Sequence, residues 1–240
     1  MSVIAILRQL RMSPILDSSF ARRSVLIQIG YGALCSGSLF PMHRSKTQTA
    51  LLATGFGGIL FVLTFLVLGA IAPNYNALRE TISALEFTAL GLAQRINFLV
   101  FGLMLMTFAV ALRRELGAGR GAVLIPTFQF LSGVGVAGDA IFIHEPLHLV
   151  CDLIAFNSAL LVLLLFARRF SGDSHWKGWT AYSILTALLM MAFLTAFGAA
   201  NHLGGPAGAF EKLASLTRTS WSVLLVAKLY SGRRLIEAGA

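Results

Sequence analysis

Charged residues are scarce in this chain. Asp, Glu, Lys and Arg make up 12% of its 240 residues, whereas soluble domains carry about 25%. Hydrophobic residues account for 57%, and the mean hydropathy is +0.79. These values exclude a soluble globular domain, a disordered chain, a collagen and a coiled coil. They indicate an integral membrane protein.

Cysteine and acidic residues are also few. Neither Cys35 nor Cys151 belongs to a CxxC pair or a zinc-binding Cys/His spacing, which excludes a disulfide scaffold. On the topology predicted below, the two cysteines lie on opposite sides of the membrane and cannot pair. Nineteen basic residues outnumber ten acidic ones, but they cluster between apolar runs. Such clusters indicate membrane topology, and we expect no nucleic-acid partner because no basic face with interleaved aromatic residues occurs.

Six apolar segments approach the roughly 20 residues that a helix needs to cross a bilayer. The predicted spans are 49–72, 96–112, 122–143, 147–167, 178–199 and 211–230. The sixth is the most polar, since it contains Glu211, Lys212, Arg218 and Lys228. We therefore expect an all-α fold, a six-span transmembrane helical bundle.

The positions of Lys and Arg predict the orientation. With the N-terminus in the cytoplasm, fifteen of the nineteen basic residues lie on the cytoplasmic side. This bias is typical of cell-membrane proteins whose basic loops stay inside. Both termini are then cytoplasmic. The predicted parts are a basic tail over residues 1–48, a six-helix domain over 49–232 and a short tail over 233–240.

Two segments outside the spans allow further predictions. Segment 24–40 is moderately apolar. We expect it to belong to a cytoplasmic tail, and three alternatives remain: a seventh span, a signal peptide, or a protein whose first residue is Met42. The long loop over residues 73–95 is predicted to lie outside. Its leucines and isoleucine recur at helical spacing over 77–94, which predicts a helix lying along the outer surface.

Candidate metal ligands gather where the third span ends and the fourth begins. His144, His148 and Asp152 are spaced i, i+4, i+8, so a continuous helix would stack them on one face. With His202 from the next outer turn they make a candidate set for a divalent metal, and Asp139 would orient it. A metal-bound water would then act as the nucleophile of a hydrolase. The alternative is that these side chains are simply solvated.

Depth in the membrane suggests a second arrangement of the same region. Asp152 and Arg218 lie about 7 Å and about 10 Å below the outer surface at 1.5 Å per residue. A charge at such depth costs at least about 2.5–3.5 kcal/mol unless it finds a partner or water. We therefore expect Arg218 to pair with Asp152 or Asp139. The hypothesis is an outward-facing polar cavity whose ligand-binding residues are Asp139, His148, Asp152 and Arg218; an ion pair that only docks the sixth helix is the alternative.

A glycine-rich stretch in the third span has the literal spacing GxGxxG, through Gly133, Gly135 and Gly138. In dinucleotide-binding folds this motif follows a strand and opens a helix. Here it lies inside an apolar run. The pattern therefore predicts close helix packing rather than a cofactor site.

Three motifs together resemble the domain of unknown function 998 family of membrane proteins. They are the loop segment Tyr75–Leu85, the glycine-rich span from Gly133 to Asp139 followed by His148, and the segment Gly208–Lys212 with Trp221 downstream. The resemblance covers roughly residues 50–232 and implies about six spans, with no established activity. Three positions depart from the family pattern: Ala77 replaces a proline, Glu86 a glycine and Lys212 an arginine. The lysine puts a bidentate carboxylate clamp in doubt, because lysine lacks the planar fork of arginine.

Three functional hypotheses follow. The first is a multi-pass membrane protein that needs no cofactor and binds a membrane lipid or small ligand in the outer cavity. The second is a metal-dependent membrane hydrolase. The third is a small-molecule transporter, although no span is broken midway by proline and no inverted repeat is evident.

Overall fold

The computed structural model describes residues 41–238, and these are all-α, as predicted. Within this range the six α-helices are α1 (Pro41–Ile71), α2 (Gly91–Leu116), α3 (Leu124–Asp139), α4 (Leu147–Phe170), α5 (Trp179–Leu203) and α6 (Ala207–Ala238). Two short 3-10 helices, Ser83–Phe87 and Ser174–Trp176, lie in connecting segments. Segment 24–40 lies outside the described residues.

Four of these helices are long and apolar enough to cross a membrane. They are the Thr49–Ile71 part of α1, together with α2, α4 and α5. α3 has only 16 residues, fewer than the roughly 20 that a crossing needs, and α6 carries several charges in its first half. The protein is thus an integral membrane protein with several candidate spans. Six crossings and cytoplasmic termini stay a prediction.

The predicted surface helix over residues 77–94 is wrong. The segment instead folds into turns and the 3-10 helix Ser83–Phe87, and α2 begins at Gly91. The reason is that Ile82 and Leu85 turn into the protein, where both are fully buried, while Leu78 stays 64% exposed. The apolar residues of the loop therefore do not form one stripe that could lie on a membrane.

Glycines let α3 lie closely between α2 and α4. A Cβ atom at Gly133 would be 2.7 Å from the Gly102 carbonyl oxygen of α2. One at Gly135 would be 2.6 Å from backbone atoms of Cys151 and Ala155 on α4. Cβ atoms essentially never approach other atoms within 3.0 Å. These contacts confirm the packing interpretation of the glycine-rich stretch.

The bundle has two chemically different ends. We call one the loop end, because the 72–90 loop lies there with the turns 140–146 and 204–206; Gly208 N–H donates to the Arg79 carbonyl and Arg95 Nε to the Ala140 carbonyl. The other, the basic end, holds Arg169, which donates to the carbonyls of Leu116 and Arg120. The candidate site lies toward the loop end.

Buried aromatic residues connect the helices between these ends. Trp221 of α6 is 1% exposed and donates from Nε1 to Ser183 Oγ of α5 over 3.0 Å. Nearer the loop end, the Phe61 ring of α1 stacks on the Phe101 ring of α2 with centroids 4.2 Å apart. The Phe61 and Phe101 pair forms part of an apolar cluster that also contains the loop residues Ile82 and Leu85.

The packing of α3 predicts a selective effect of adding one methyl group. Gly135→Ala should destabilise the protein by about 1–3 kcal/mol, because the added carbon overpacks the contact with α4. Gly198→Ala in α5 is the matched control, since a Cβ there meets no described atom within 4 Å. Unfolding of the purified protein in mixed micelles measures both. Equal stability of the two variants would contradict the packing described for α3.

Candidate functional site

The 72–90 loop is fastened to the start of α6. The Ile82 backbone N–H donates to the Glu211 carboxylate over 2.7 Å, and Lys212 Nζ donates to the Glu80 carbonyl over 2.8 Å. Both α6 side chains are buried. A Cβ atom on Gly208 would strike the Glu80 backbone, so glycine permits the close approach. The loop thus covers the end of the bundle beside α6.

Tyr75 holds the same loop from within. Its hydroxyl donates to the carbonyl oxygens of Glu80 and Thr81, over 3.1 and 2.8 Å. Burial raises the pKa of the Tyr75 phenol, and the carboxylates of Glu211 and Glu80 raise it further. The phenol therefore stays protonated and remains a donor.

Glu86 is a buried carboxyl group in the short 3-10 helix of the loop. The residue is 7% exposed, and neither carboxyl oxygen has a hydrogen-bond partner among residues 41–238. Burial raises the pKa of Glu86 from 4.5 to about 7, the Arg95 charge opposes the rise, and Asp152 adds to it. An ionisable group in this state is typical of functional sites.

A small cavity lies beneath the loop, among residues of α1, α2, α3, α4 and α6. Its volume is about 40 Å³, enough for about three water molecules at 10–15 Å³ each. Its charged lining consists of Asp139, Asp152, Glu211 and Arg218. Its apolar lining includes three phenylalanines, Phe61 of α1 and Phe98 and Phe101 of α2.

Arg218 makes no ion pair with either predicted partner. In the described part of the chain, its guanidinium lies within 4.0 Å of neither the Asp139 nor the Asp152 carboxylate. Instead Nη2 donates to Ser132 Oγ over 3.0 Å, and Ser132 Oγ donates to the Ala155 carbonyl over 2.9 Å. The predicted ion pair is therefore wrong, because the α3 hydroxyl accepts from Arg218. That relay links α6 to α3 and α4.

Asp139, His148 and Asp152 form a compact group beside the cavity. One ligand atom from each lies within 4.8 Å of the others, and His148 Nε2 is 3.8 Å from Asp152 Oδ2. Asp139 is 2% exposed and His148 is 7% exposed, while the Asp152 side chain is 34% exposed. Within the part of the chain that the structure describes, Asp139 Oδ1 and His148 Nε2 have no hydrogen-bond partner. Imidazole and carboxylate groups at this spacing are able to share a metal ion.

The other two histidines of the predicted metal set do not join this group. α4 begins at Leu147, so His144 precedes the helix and does not stack one turn before His148. His144 is exposed, and its ring lies 5.7 Å from the Phe87 ring. His202 is exposed in the last turn of α5. Asp139, which the sequence predicted only as an orienting carboxylate, lies within the group instead.

Sequence reasoning missed the roles of two acidic residues. Glu86 entered only as a departure from a family pattern, yet it is buried. Glu211 entered as a polar residue of a weak span, yet it holds the loop and lines the cavity. The available signal was the position of Glu86 directly after Leu85, which the fold buries completely.

The described residues define a class: an all-α integral membrane protein with several candidate membrane spans. The chain belongs to the family described as "Protein of unknown function (DUF998)", whose model matches residues 56–228. Neither a curated protein nor a solved structure gives a match.

Two of the motifs on which the family resemblance rests meet in space. Segment Tyr75–Leu85 lies against Gly208–Lys212 through the hydrogen bonds of the fastened loop. Lys212 donates to the backbone carbonyls of Glu80 and Gly208. A carboxylate clamp is therefore not what this lysine forms.

The fastening of the loop predicts a local effect of changing Glu211. Glu211→Ala should speed amide exchange over residues 79–85 about tenfold or more, because it removes a hydrogen bond to a charged group worth about 1.5–3 kcal/mol. Glu211→Gln keeps an acceptor oxygen and should exchange much more slowly than the alanine variant. Hydrogen–deuterium exchange with mass spectrometry measures this. Identical exchange in both variants and the native chain would show that Glu211 does not hold the loop.

The raised pKa of Glu86 predicts a pH-dependent stability. A carboxyl group whose pKa is higher folded than unfolded favours folding at low pH, and this contribution is lost as the pH rises through about 7. The melting temperature of the native protein should therefore fall between pH 5 and pH 8 relative to Glu86→Gln. The exposed Glu145, changed to Gln, serves as the control. A constant difference between the native protein and Glu86→Gln would contradict this assignment.

Proposed function

We propose that the protein binds a small cationic ligand in the cavity at the loop end. The observation that supports this most is the charge of the cavity wall, where three carboxyl groups face one guanidinium. Arg218 donates to the neutral Ser132 hydroxyl, and the three carboxyl groups of the lining outnumber its single positive charge. The carboxyl groups of Asp139, Asp152 and Glu211 are then the groups that favour a cation.

The size of the cavity limits which ligands fit. A volume of about 40 Å³ accommodates a few heavy atoms, since one water needs about 10–15 Å³. A whole lipid does not fit, but an ammonium group does, either free as a small amine or at the tip of a lipid headgroup. The partly exposed Asp152 side chain marks the side from which such a group would arrive.

The aromatic lining supports the same ligand class. Phe61, Phe98 and Phe101 border the cavity, and ring faces attract cations by about 0.5–2 kcal/mol. In the proposed orientation, with six crossings of the cell membrane and both termini cytoplasmic, the loop end faces outward. The ligand would then be captured from the outer side.

Binding of an amine should raise the melting temperature of the purified protein. A ligand at ten times its Kd adds about 1.4 kcal/mol to stability, which is a shift of a few degrees. We expect this shift with ethanolamine or methylammonium but not with ethanol or acetate. Asp152→Asn should abolish the shift, whereas Asp173→Asn, at an exposed position on the basic end, should keep it. A set of small amines that leaves the melting temperature unchanged would refute the proposal.

A metal-dependent hydrolase is the second candidate. The observation that favours it is the Asp139, His148 and Asp152 group, because two of its members also line the cavity. An ion there would lower the pKa of a bound water and generate a nucleophile within the cavity.

A further inference from the structure

We infer that Asp139, His148 and Asp152 form a binding site for one divalent transition-metal ion of the zinc type. The inference deepens the second candidate function, the metal-dependent hydrolase, and it relies on the cavity to supply the coordination positions that the protein leaves open. It replaces the set His144, His148, Asp152 and His202 predicted from the sequence.

The hydrogen bond of His148 prepares the imidazole for a metal. Nδ1 lies 2.9 Å from the Phe142 carbonyl oxygen. A carbonyl only accepts, so Nδ1 carries the proton and the neutral ring keeps its lone pair on Nε2. Metal-binding histidines commonly donate their second N–H to a carbonyl in this way, which fixes the ring and its tautomer. Nε2 is buried and has no hydrogen-bond partner in the described residues.

The distances within the group suit an ion better than direct contacts. His148 Nε2 and Asp152 Oδ2 are 3.8 Å apart, and all three donors lie within 4.8 Å of one another. A separation of 3.8 Å is too long for a hydrogen bond. Donors about 2.1 Å from a tetrahedral zinc ion lie about 3.4 Å apart. Side-chain movements of about 1 Å would close the group around an ion.

Charge gives a third, independent argument. The Asp139 carboxyl group is buried with Oδ1 unpartnered, and Asp152 is close by. The nearby cations donate elsewhere: Arg95 to the Ala140 carbonyl and Arg218 to Ser132 Oγ. A buried carboxylate without a paired charge is costly. A divalent ion would compensate both carboxylates at once.

The donor set indicates the kind of metal. One imidazole nitrogen with two carboxylates suits zinc or manganese, whereas calcium and magnesium prefer oxygen donors alone. Three protein ligands leave at least one open position, as in catalytic zinc sites. Because Asp139 and Asp152 also line the cavity, that position faces space for water or for a ligand.

Calorimetric titration of the full-length, chelator-treated protein with Zn²⁺ tests the site. We expect one ion per chain and at least tenfold weaker binding in His148→Gln. His144→Gln is the matched control, because it changes an exposed histidine four residues away and should bind as the native protein does. Absorption of the Co²⁺-loaded protein in the visible range should likewise be lost in His148→Gln and kept in His144→Gln.

The test also includes a variant for the case that His148→Gln fails to fold. Asp152 is the most exposed of the three ligands, and Asp152→Asn should weaken zinc binding at least tenfold while the protein elutes as the native form does. Failure of the native protein to bind zinc, native-like binding by a folded His148→Gln or Asp152→Asn, or loss of binding in His144→Gln would each overturn the inference.

The amine experiment separates this inference from the proposed function. Zinc binding without any effect of amines would support the metal site and refute the proposed amine binding. An effect of amines without zinc binding would refute the metal site and leave the proposed amine binding standing.

Discussion

The hydrogen bond between the Ile82 backbone and the Glu211 carboxylate is the contact on which the site depends most. It places a negative group inside an apolar bundle, where such a group is stable only if a donor reaches it. The loop supplies that donor and in return brings Ile82 onto the cavity wall. One carboxylate therefore both closes the end of the bundle and contributes to the charge of the cavity.

The site also requires that α3 be narrow enough to lie against its neighbouring helices. Gly135 and Gly138 let this helix touch α4, and a Cβ atom on Gly138 would lie 2.5 Å from Cys151 Sγ. Asp139 follows directly, at the end of α3. Its carboxylate reaches His148 and Asp152 because the backbones on which these residues sit are so close. Packing and ligand chemistry are thus set by neighbouring residues of one short helix.

Much of the fold was predictable because apolar runs identify membrane helices through composition alone. The ends of helices were harder to predict. α2 begins at Gly91 rather than at residue 96, because Gln94 and Arg95 interrupt the apolar run although the helix continues through them. The loop prediction failed because periodicity does not say whether an apolar stripe faces lipid or protein. Ile82 and Leu85 face protein.

The site was predictable in location more than in detail. Depth arithmetic pointed to Asp139, Asp152 and Arg218, which the structure places around one cavity; that they bind a ligand stays a proposal. The pairing of Arg218 failed because the serine that accepts from it leaves no signal in a charge count. The prediction that His144 stacks on His148 failed because it required both residues to lie on one helix, whereas α4 begins only at Leu147.

The hydrogen bonds between α6 and the 72–90 loop have an evolutionary consequence. Gly208, Ala209 and Lys212 all bond to main-chain carbonyls of residues 78–80, not to their side chains. Substitutions at Leu78 and Arg79, which are exposed, would leave this grip untouched. Relatives could thus diversify the face that meets the surroundings while the fastening beneath it is inherited unchanged.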